Sequence, residues 1–222
     1  MVVVAGGPGP NASDSAWILK ALGGYDAVIA ADSGYDIAMT LGLAVDVLVG
    51  DLDSISVDGL VRARASGVEI RSFSIDKDFT DLELALDVAV EMGAVHDATR
   101  VTLIDSGAGR FDHVVSNLML LTSDHLEGLA IRALVAGSVV QVCRPGHNAI
   151  IGHPGDVVTL MAATPLVEGI TTTGLQYSLA SASLRFGQTL GVSNVLVADH
   201  AELHHRTGVL LVFQPTAERI AR

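Results

Sequence analysis

Cysteine and aromatic residues are scarce in this sequence of 222 residues. The single cysteine, Cys143, excludes an intramolecular disulfide and a cysteine-based zinc site, and it favours a reducing compartment. Aromatic residues make up 4% of the chain although hydrophobic residues make up 50%, so the core must consist mainly of Val, Leu, Ile and Ala. The length suffices for one large domain or two small ones, each with its own core.

Basic residues are also few. The chain has 13 Lys and Arg residues against 25 Asp and Glu residues, which gives a formal net charge of −12. We therefore expect no binding to nucleic acid, because phosphate backbones select basic surfaces. The acidic charge is still compatible with a small phosphate compound that arrives with its own Mg²⁺.

Long apolar segments are missing as well. No uncharged apolar stretch reaches the roughly 18 residues that a membrane-spanning helix requires. The N-terminal segment MVVVAGG lacks the basic residues of a signal peptide, and its apolar run is too short. These absences predict a cytoplasmic protein that does not associate with membranes.

Residues 1–136 alternate short apolar runs with segments of helical spacing, which predicts βα units and a mainly parallel sheet. The runs are Val2–Ala5, Ala27–Ala31, Val45–Val49, Val68–Phe73, Val101–Ile104 and Leu129–Val135. The clearest helix is TDLELALDVAVEMGA, where Thr80 and Glu83 form a capping box and Gly93 is the predicted stop. A second helix is predicted from Asp112 to Leu121, with Val114, Val115, Leu118 and Leu121 on its inner face.

Residues 137–222 differ in composition and pattern. They are rich in Val, Thr, Ser and Gly, with frequent turn signals and weak helical periodicity. This pattern predicts a second, all-β domain with a sandwich architecture. The segment DHAELHH contains His200, His204 and His205, but it lacks the helical HExxH order of zinc sites. We interpret it as a solvated loop.

Aspartates follow three of the predicted strands in the first domain. Asp32 follows the second strand, and Asp51 and Asp53 follow the third. Asp76, Asp78 and Asp81 lie between the fourth strand and the capped helix. Ligands of open α/β sheets bind outside the carboxyl ends of the strands, so these groups belong to one edge. Each aspartate alone is typical of a turn or a helix cap, but six together suit Mg²⁺ shared with a phosphate compound.

The segment GAGRFDH, residues 107–113, supplies groups for an anion. It follows a strand and opens a helix, and Gly107 and Gly109 let backbone N–H groups approach a phosphate. Arg110 adds a bidentate phosphate donor, and Lys77 in the acidic loop adds a point charge.

Taken together, these motifs resemble those of thiamine pyrophosphokinases, in the family's order and over nearly the whole chain. The motifs here are ADSG (31–34), GDLDS (50–54), DKDFTD (76–81), GRFDH (109–113), TTTGLQY (171–177) and GVSN (191–194). The resemblance implies a Rossmann-like α/β domain over residues 1–136, which binds ATP and Mg²⁺, and a thiamine-binding β-sandwich over 137–222. It also implies a homodimer with its active site at the subunit interface, and transfer of pyrophosphate from ATP to the hydroxyl of thiamine with release of AMP.

The resemblance further implies roles for individual residues. Asp51, Asp53 and Asp81 match the acids that hold Mg²⁺ and the triphosphate, and Asp78 and Arg110 join them as catalytic residues. ATP is implied to contact Asp32, Lys77, Thr80, Arg110 and Asp112. Thiamine is implied to contact Tyr177, which stands where the family often has Trp, and the pair Ser193 and Asn194.

Three other interpretations stay open at this stage. VLVGDLDSI superficially resembles the strand end of haloacid-dehalogenase-like phosphatases, in which the residue at Asp51 would be a nucleophile. Gly50 before it, and its place after two βα units rather than on the opening strand, argue against this interpretation. A pyrophosphokinase for another small alcohol, such as a pterin, is a closer rival, and a regulatory nucleotide- or metal-binding protein is the non-enzymatic one.

Overall fold

The computed structural model of the chain describes residues 1–74, 78–96 and 100–216. Within it the chain divides into two compact units, Met1–Gly137 and Ser138–Arg222. The model is of mixed α/β class. None of the described helices is long and apolar enough to cross a membrane.

The first unit alternates strands and helices along the chain. In order, they are β1 (Val2–Val4), α1 (Ala12–Leu22), β2 (Val28–Ala31), α2 (Gly34–Thr40), β3 (Val47–Gly50), α3 (Val57–Ala65), β4 (Glu69–Ser72), α4 (Asp81–His96), β5 (Arg100–Asp105), α5 (Phe111–Leu120) and β6 (Ala130–Val135). A short 3₁₀ turn at Asp124–Leu126 precedes β6. All six predicted strands are therefore confirmed, with no end shifted by more than two residues.

The sheet of the first unit is parallel, in the order β6-β5-β1-β2-β3-β4. Strands β1 to β3 are completely buried, which explains why their sequences are continuous apolar runs rather than alternating ones. Because β1 pairs with β2 on one side and with β5 on the other, the order of strands reverses between β1 and β5. A crevice outside the carboxyl ends of strands at such a reversal is the usual ligand site of open α/β sheets.

Two helix predictions need correction. Helix α4 continues through Gly93 to His96, because the 3.6-residue apolar stripe outweighs the modest cost of one glycine in a helix. Helix α5 begins at Phe111, and Val115 does not lie on its inner face, since 42% of its side chain is exposed. Val114 and Leu121 are buried as predicted. The cap of α4 is confirmed, because Thr80 Oγ1 accepts a hydrogen bond from the Glu83 amide at 3.2 Å.

The second unit consists of strands in two antiparallel sets. The strands are β7 (Ser138–Cys143), β8 (Gly146–Ile151), β9 (Val157–Ala162), β10 (Leu166–Thr173), β11 (Ala182–Arg185), β12 (Asn194–Val195), β13 (His200–His205) and β14 (Leu210–Pro215). One set has the order β12-β9-β14-β7 and the other has the order β11-β10-β13-β8. Buried residues from both sets form a single hydrophobic cluster, for example Leu160, Leu210, Ile150 and Leu203.

The prediction of a solvated loop at DHAELHH is wrong, because these residues form the interior strand β13. Ala201, Leu203 and His205 alternate with more exposed neighbours, as the period of two in a strand requires. His205 is completely buried, and burial lowers its pKa. The polar residues of the segment do not suggest a strand in the sequence, because one of its inward-facing positions is a histidine.

Gly34 places the start of α2 against the end of β1. A Cβ atom at this position would overlap the backbone oxygen of Val4 and lie 3.1 Å from the carbonyl carbon of Ala5. Since backbone cannot move aside as a flexible side chain can, we expect Gly34→Ala to lower the free energy of unfolding by about 3 kcal/mol. Urea denaturation checks this value. Gly24→Ala is the matched control, because its Cβ would enter open space and should change stability by no more than about 0.5 kcal/mol.

Candidate active site

The paired aspartates lie directly after β3, where the chain turns sharply. Gly50 has a φ of +147°, and Leu52, between the two aspartates, has a φ of +65°. The Asp53 amide donates a hydrogen bond to Asp51 Oδ1 at 3.2 Å. A carboxylate oxygen from each of Asp32, Asp51 and Asp53 lies within 4.8 Å of the other two. The turn therefore brings two hard oxygen ligands of the type that Mg²⁺ prefers next to a third carboxylate, which follows β2.

Asp32 is the buried member of this acidic cluster, which we define as Asp32, Asp51 and Asp53. Only 4% of Asp32 is exposed, and its backbone has a φ of +47°. Its Oδ2 accepts bonds from the Ser54 hydroxyl at 2.6 Å and the Ser54 amide at 3.3 Å, and its Oδ1 accepts one from the Ile55 amide at 3.1 Å. Asp32 thus fixes the chain immediately after Asp53.

A second carboxylate anchors the same loop. Asp36, one turn into α2, accepts hydrogen bonds from both the amide and the hydroxyl of Ser56 at 2.8 Å. The Ser56 hydroxyl in turn caps α3 by accepting a bond from the Gly59 amide at 2.9 Å. The loop that carries Asp51 and Asp53 is therefore held at two points by carboxylates outside this pair.

Asp81, the first residue of α4, lies beside the end of β3. A Cβ atom built on Gly50 would be 3.0 Å from Asp81 Oδ1 and 3.2 Å from Asp32 Cβ. Glycine at position 50 therefore gives the Asp81 carboxylate room next to the acidic cluster. Asp78 is exposed in the segment before α4. Asp76 and Lys77 lie outside the described residues.

The negative charges of the cluster act on one another. The pKa of Asp53 is raised above the usual aspartate value, chiefly by the charge of Asp51, then by desolvation and by the charge of Asp32. The charge of Asp81 contributes in the same direction. Accumulated negative charge of this kind attracts a cation, which would relieve the repulsion.

The raised pKa of Asp53 predicts a pH-dependent gain in stability when its charge is removed. Because the pKa of Asp53 is raised in the folded chain, its ionised form lowers the free energy of unfolding at neutral pH. This loss of stability disappears as the pH falls through the folded-state pKa, since Asp53 is then protonated. In the presence of a chelator we therefore expect Asp53→Asn to raise the melting temperature at neutral pH, with the difference shrinking in acid. Calorimetry across the pH range measures it. A variant that melts lower than the wild type at neutral pH would contradict the argument.

A cleft of about 650 Å³ opens next to the cluster in the first unit. Its lining comes from the ends of β1, β2 and β5, the start of α4 and the first turns of α5, namely Ala5–Pro8, Ala31–Ser33, Ser54, Phe79–Leu82, Asp105, Ala108, Arg110, His113, Val114, Ser116 and Asn117. This is the crevice expected where the strand order reverses between β1 and β5. Asp32, Thr80, Asp81 and Arg110, all predicted from the sequence, share this cleft.

The glycine-rich segment after β5 is held by a buried carboxylate. Asp105 Oδ1 accepts a bond from the Gly107 amide at 2.9 Å, and Asp105 Oδ2 accepts one from Asn117 Nδ2 at 2.9 Å. The Ser106 hydroxyl donates to the Pro8 carbonyl at 2.6 Å, which ties this segment to the loop after β1. The GGPGP loop, which matches no phosphate-binding motif, therefore forms one wall of the cleft.

Arg110 and Asp112 form a bidentate ion pair on the surface of the cleft. Arg110 Nη2 lies 2.6 Å from Asp112 Oδ2 and Nε lies 3.2 Å from Oδ1. The hydrogen bonds from Arg110 lower the pKa of Asp112. With 70% of the Arg110 side chain exposed, its guanidinium is accessible to an anionic ligand.

Tyr177, Ser193 and Asn194 lie together in the second unit. Asn194 Oδ1 accepts a bond from the Tyr177 amide at 3.0 Å, and Asn194 Nδ2 donates to the Tyr177 carbonyl at 2.8 Å. Ser193, in the left-handed region with a φ of +59°, donates its amide to Thr159 Oγ1 at 3.0 Å. The Tyr177 side chain is 64% exposed.

Sequence reasoning missed three residues that shape the cleft: Asp36, Asp105 and Asn117. Asp36 and Asp105 are each an isolated aspartate, and their partners lie 20 and 12 residues away. Asp105 ends the apolar run of β5, so the pattern that identified Asp32 and Asp51 could have found it too. Asp36 and Asn117 lie inside helices and carry no comparable signal.

Comparison with known proteins gives a consistent result for both units. Residues 19–132 match the family model "Thiamin pyrophosphokinase, catalytic domain", and residues 148–210 match "Thiamin pyrophosphokinase, vitamin B1 binding domain". The chain is 26% identical over 189 residues to thiamine pyrophosphokinase of Bacillus subtilis, covering 85% of this chain and 86% of that protein. It is 29% identical over 161 residues to thiamine pyrophosphokinase 3 of Oryza sativa, covering 68% of this chain and 58% of that protein.

Solved structures resemble the whole chain. The crystal structure of thiamine pyrophosphokinase from Bacillus subtilis superimposes with a TM-score of 0.81 at 25% identity, covering 97% of this chain and 98% of that one. The yeast thiamin pyrophosphokinase superimposes with a TM-score of 0.73 at 12% identity, covering 99% and 87%, and at this identity shows likeness of fold alone.

Proposed function

The chain belongs to the thiamin pyrophosphokinase family, and from this premise we infer that it transfers the pyrophosphoryl group of ATP to the hydroxyl of thiamine. The products are thiamine diphosphate and AMP. The observation that carries the inference on the structural side is the acidic cluster beside a cleft at the point where the strand order reverses. No feature of the cleft favours the phosphatase or the pterin pyrophosphokinase.

We propose that Mg²⁺ binds at the acidic cluster, together with the phosphates of ATP. Asp51 and Asp53 would hold the ion, with Asp81 beside the cluster across Gly50. The fit rests on a carboxylate oxygen of Asp51 and one of Asp53 that lie within 4.8 Å of each other. Bound there, Mg²⁺ would neutralise the charge of the phosphate oxygens. Asp32 makes a different contribution, because both of its oxygens already accept bonds from Ser54 and Ile55.

The residues of the chain then act mainly by positioning. Pyrophosphoryl transfer needs the thiamine hydroxyl in line with the β-phosphorus and the AMP oxygen, with the spreading negative charge compensated. The Arg110 guanidinium can release Asp112 and bind a phosphate instead, because a carboxylate and a phosphate both accept hydrogen bonds from the same pair of guanidinium N–H groups. We propose that Asp78 acts as a further catalytic residue. The proposed ATP subsite also includes Asp32, Lys77, Thr80 and Asp112.

We propose domain roles that follow the two units. Residues 1–136 would form the Rossmann-like domain that binds ATP and Mg²⁺, supported by the parallel sheet with its reversal of strand order. Residues 137–222 would form a β-sandwich that binds thiamine, supported by the hydrophobic cluster shared by two antiparallel sets of strands. Tyr177, Ser193 and Asn194 would form the thiamine subsite. We also propose a cytoplasmic location, supported by the single cysteine, Cys143, whose thiol is free as expected in a reducing compartment.

We also propose a homodimer with the active site at the subunit interface. The second unit exposes several large apolar side chains close to the thiamine motifs in sequence, and burial of such surface stabilises association. They are Tyr177, Phe186, Leu190, Val192 and Val197, each between 45% and 64% exposed. Sedimentation velocity at several protein concentrations tests the proposal, and a monomer at all of them would contradict it.

The reaction itself is tested by product analysis. The purified protein is mixed with Mg-ATP and thiamine, and the nucleotides and thiamine species are separated by ion-exchange chromatography. AMP and thiamine diphosphate in equal amounts, abolished by a chelator, are the expected result. Release of free phosphate without AMP would indicate the phosphatase instead. Turnover with another small alcohol, but not with thiamine, would indicate the rival pyrophosphokinase.

A further inference from the structure

Two histidines lie directly opposite each other in the second unit, one on β8 and one on β13. In the antiparallel register of these strands, His204 of β13 is paired with His147 of β8. Side chains alternate between the two faces of a strand, and Leu203 and His205, on either side of His204, are completely buried. His204 and His147 therefore lie together on the outer face of the sheet. We call them the histidine pair.

The two imidazole rings of the histidine pair are close enough to share one metal ion. Their centroids are 4.6 Å apart, and their planes are tilted by 52°. Two Zn–N bonds of about 2.0–2.1 Å at a tetrahedral angle place the two nitrogens about 3.3 Å apart. Rotation of the rings about their side-chain bonds can set this separation without moving either backbone. Imidazole nitrogens suit Zn²⁺, Ni²⁺ and Cu²⁺, whereas Mg²⁺ prefers oxygen ligands.

The ring nitrogens of the histidine pair have no hydrogen bond or ion pair with another residue in the described part of the chain. Other histidines differ in this respect. His125 Nε2 lies 3.4 Å from a carboxylate oxygen of Asp87, and His153 Nδ1 lies 3.7 Å from one of Asp156. The histidine pair therefore has nitrogen lone pairs that can bind a metal without breaking an existing contact.

The neighbours of the histidine pair leave the space over β8 and β13 open. Beside His204 on β10, the Thr171 hydroxyl accepts the Ser181 amide at 3.2 Å. The Arg206 side chain lies over β10 as well, because a Cβ atom built on Gly169 would be 2.5 Å from its Nε. Its positive charge is thus directed away from β8. Since no third carboxylate, histidine or cysteine among the described residues completes the ligand set, water would occupy the remaining positions.

We propose that the histidine pair is a binding site for a divalent transition-type metal ion such as Zn²⁺, which links β8 to β13. β8 is an edge strand in the order β11-β10-β13-β8 and pairs with β13. A metal ion held by one residue of each strand adds a cross-link to this pairing. It stabilises the folded chain, because the unfolded chain does not hold the two rings together. The site differs chemically from the acidic cluster of the first unit, whose ligands are carboxylate oxygens, and it does not depend on the proposed function.

Titration calorimetry with Zn²⁺, in an excess of Mg²⁺ that occupies the acidic cluster, tests the site. We expect one Zn²⁺ per chain to bind with a Kd that rises about 10²-fold in His147→Ala and equally in His204→Ala, because a single ring loses the advantage of two linked ligands. His153→Ala is the matched control, since this histidine of the same unit is 87% exposed and lies outside the pair. Its Kd for Zn²⁺ should equal that of the wild type. Unchanged binding in either variant of the pair, or no binding by the wild type, would overturn the proposal.

Melting temperatures distinguish a cross-link from binding to one ring. Without metal, both variants should melt with the wild type, because the two rings lie on the outer face of the sheet. Zn²⁺ should then raise the melting temperature of the wild type and leave that of His147→Ala and His204→Ala unchanged. An equal rise in all three proteins would contradict the proposal. Turnover of thiamine should be the same in all three, so failure of this site and failure of the proposed function are separate outcomes.

Discussion

Asparagine at position 51 or 53 is expected to lower kcat/KM by about 10³-fold while the chain remains folded. Asp32 and Asp36 anchor the turn that carries both carboxylates. An asparagine at position 51 also keeps an oxygen that can accept the amide bond within the turn. Their proximity even disfavours the ionised form of Asp53 in the folded state. Two neighbouring carboxylates that disfavour each other's ionisation are best explained by a bound cation. Without that cation, the negative charge of the ATP phosphates would be poorly compensated.

Steady-state assays with varied Mg²⁺ measure this effect. The loss should be accompanied by a weaker dependence on Mg²⁺, because the variants lack a ligand for it. Asp58→Asn is the matched control, since Asp58 is exposed in the first turn of α3 and lies outside the acidic cluster. Its kcat/KM should equal that of the wild type. Near-normal activity of Asp51→Asn and Asp53→Asn would mean that the cation, if one is used, is held elsewhere.

Sequence patterns predicted the strands and the edge of the sheet at which the acidic groups meet. This succeeded because buried parallel strands are continuous apolar runs, and because parallel strands place their carboxyl ends at the same edge. The aspartates at positions 32, 51 and 53 follow such runs directly. Their approach to within 4.8 Å of one another is a consequence of that geometry.

What the sequence could not predict depends on contacts between distant segments. The hydrogen bonds that Ser56 donates to Asp36 and Asn117 donates to Asp105 form only when helices are placed on the sheet. Likewise, the sequence did not show that the Asn194 side chain pairs with the Tyr177 backbone, and the thiamine contact that the resemblance implies for Asn194 stays a prediction. Residue type and spacing identify which side chains are near a site, but hydrogen-bond partners decide what each one can still bind.

Two substitutions of Asp32, to alanine and to asparagine, should have different effects on stability although both reduce activity. Asp32→Ala removes the acceptor of three hydrogen bonds in a residue that is 4% exposed, and it puts alanine at a φ of +47°. We expect the free energy of unfolding to fall by about 3 kcal/mol, because buried donors are left without partners. Activity should also be lost, since the loop of Asp51 and Asp53 is released.

Asp32→Asn tests the charge of Asp32 apart from its shape. Asparagine tolerates the left-handed conformation and still accepts the Ile55 amide, while the Ser54 hydroxyl can rotate to accept from Nδ2. Only the long bond from the Ser54 amide, at 3.3 Å, loses its acceptor. The loss of stability should therefore be only about 1 kcal/mol. The cluster nevertheless loses one of its negative charges, so Mg²⁺-dependent activity should fall well below that of the wild type. Urea denaturation and steady-state assays of both variants supply the comparison. Asp46→Ala is the control, since Asp46 accepts the Val28 amide at the opposite end of the strands and should reduce stability without reducing kcat. Full activity in Asp32→Asn would show that Asp32 only supports the loop and that its charge contributes nothing to the reaction.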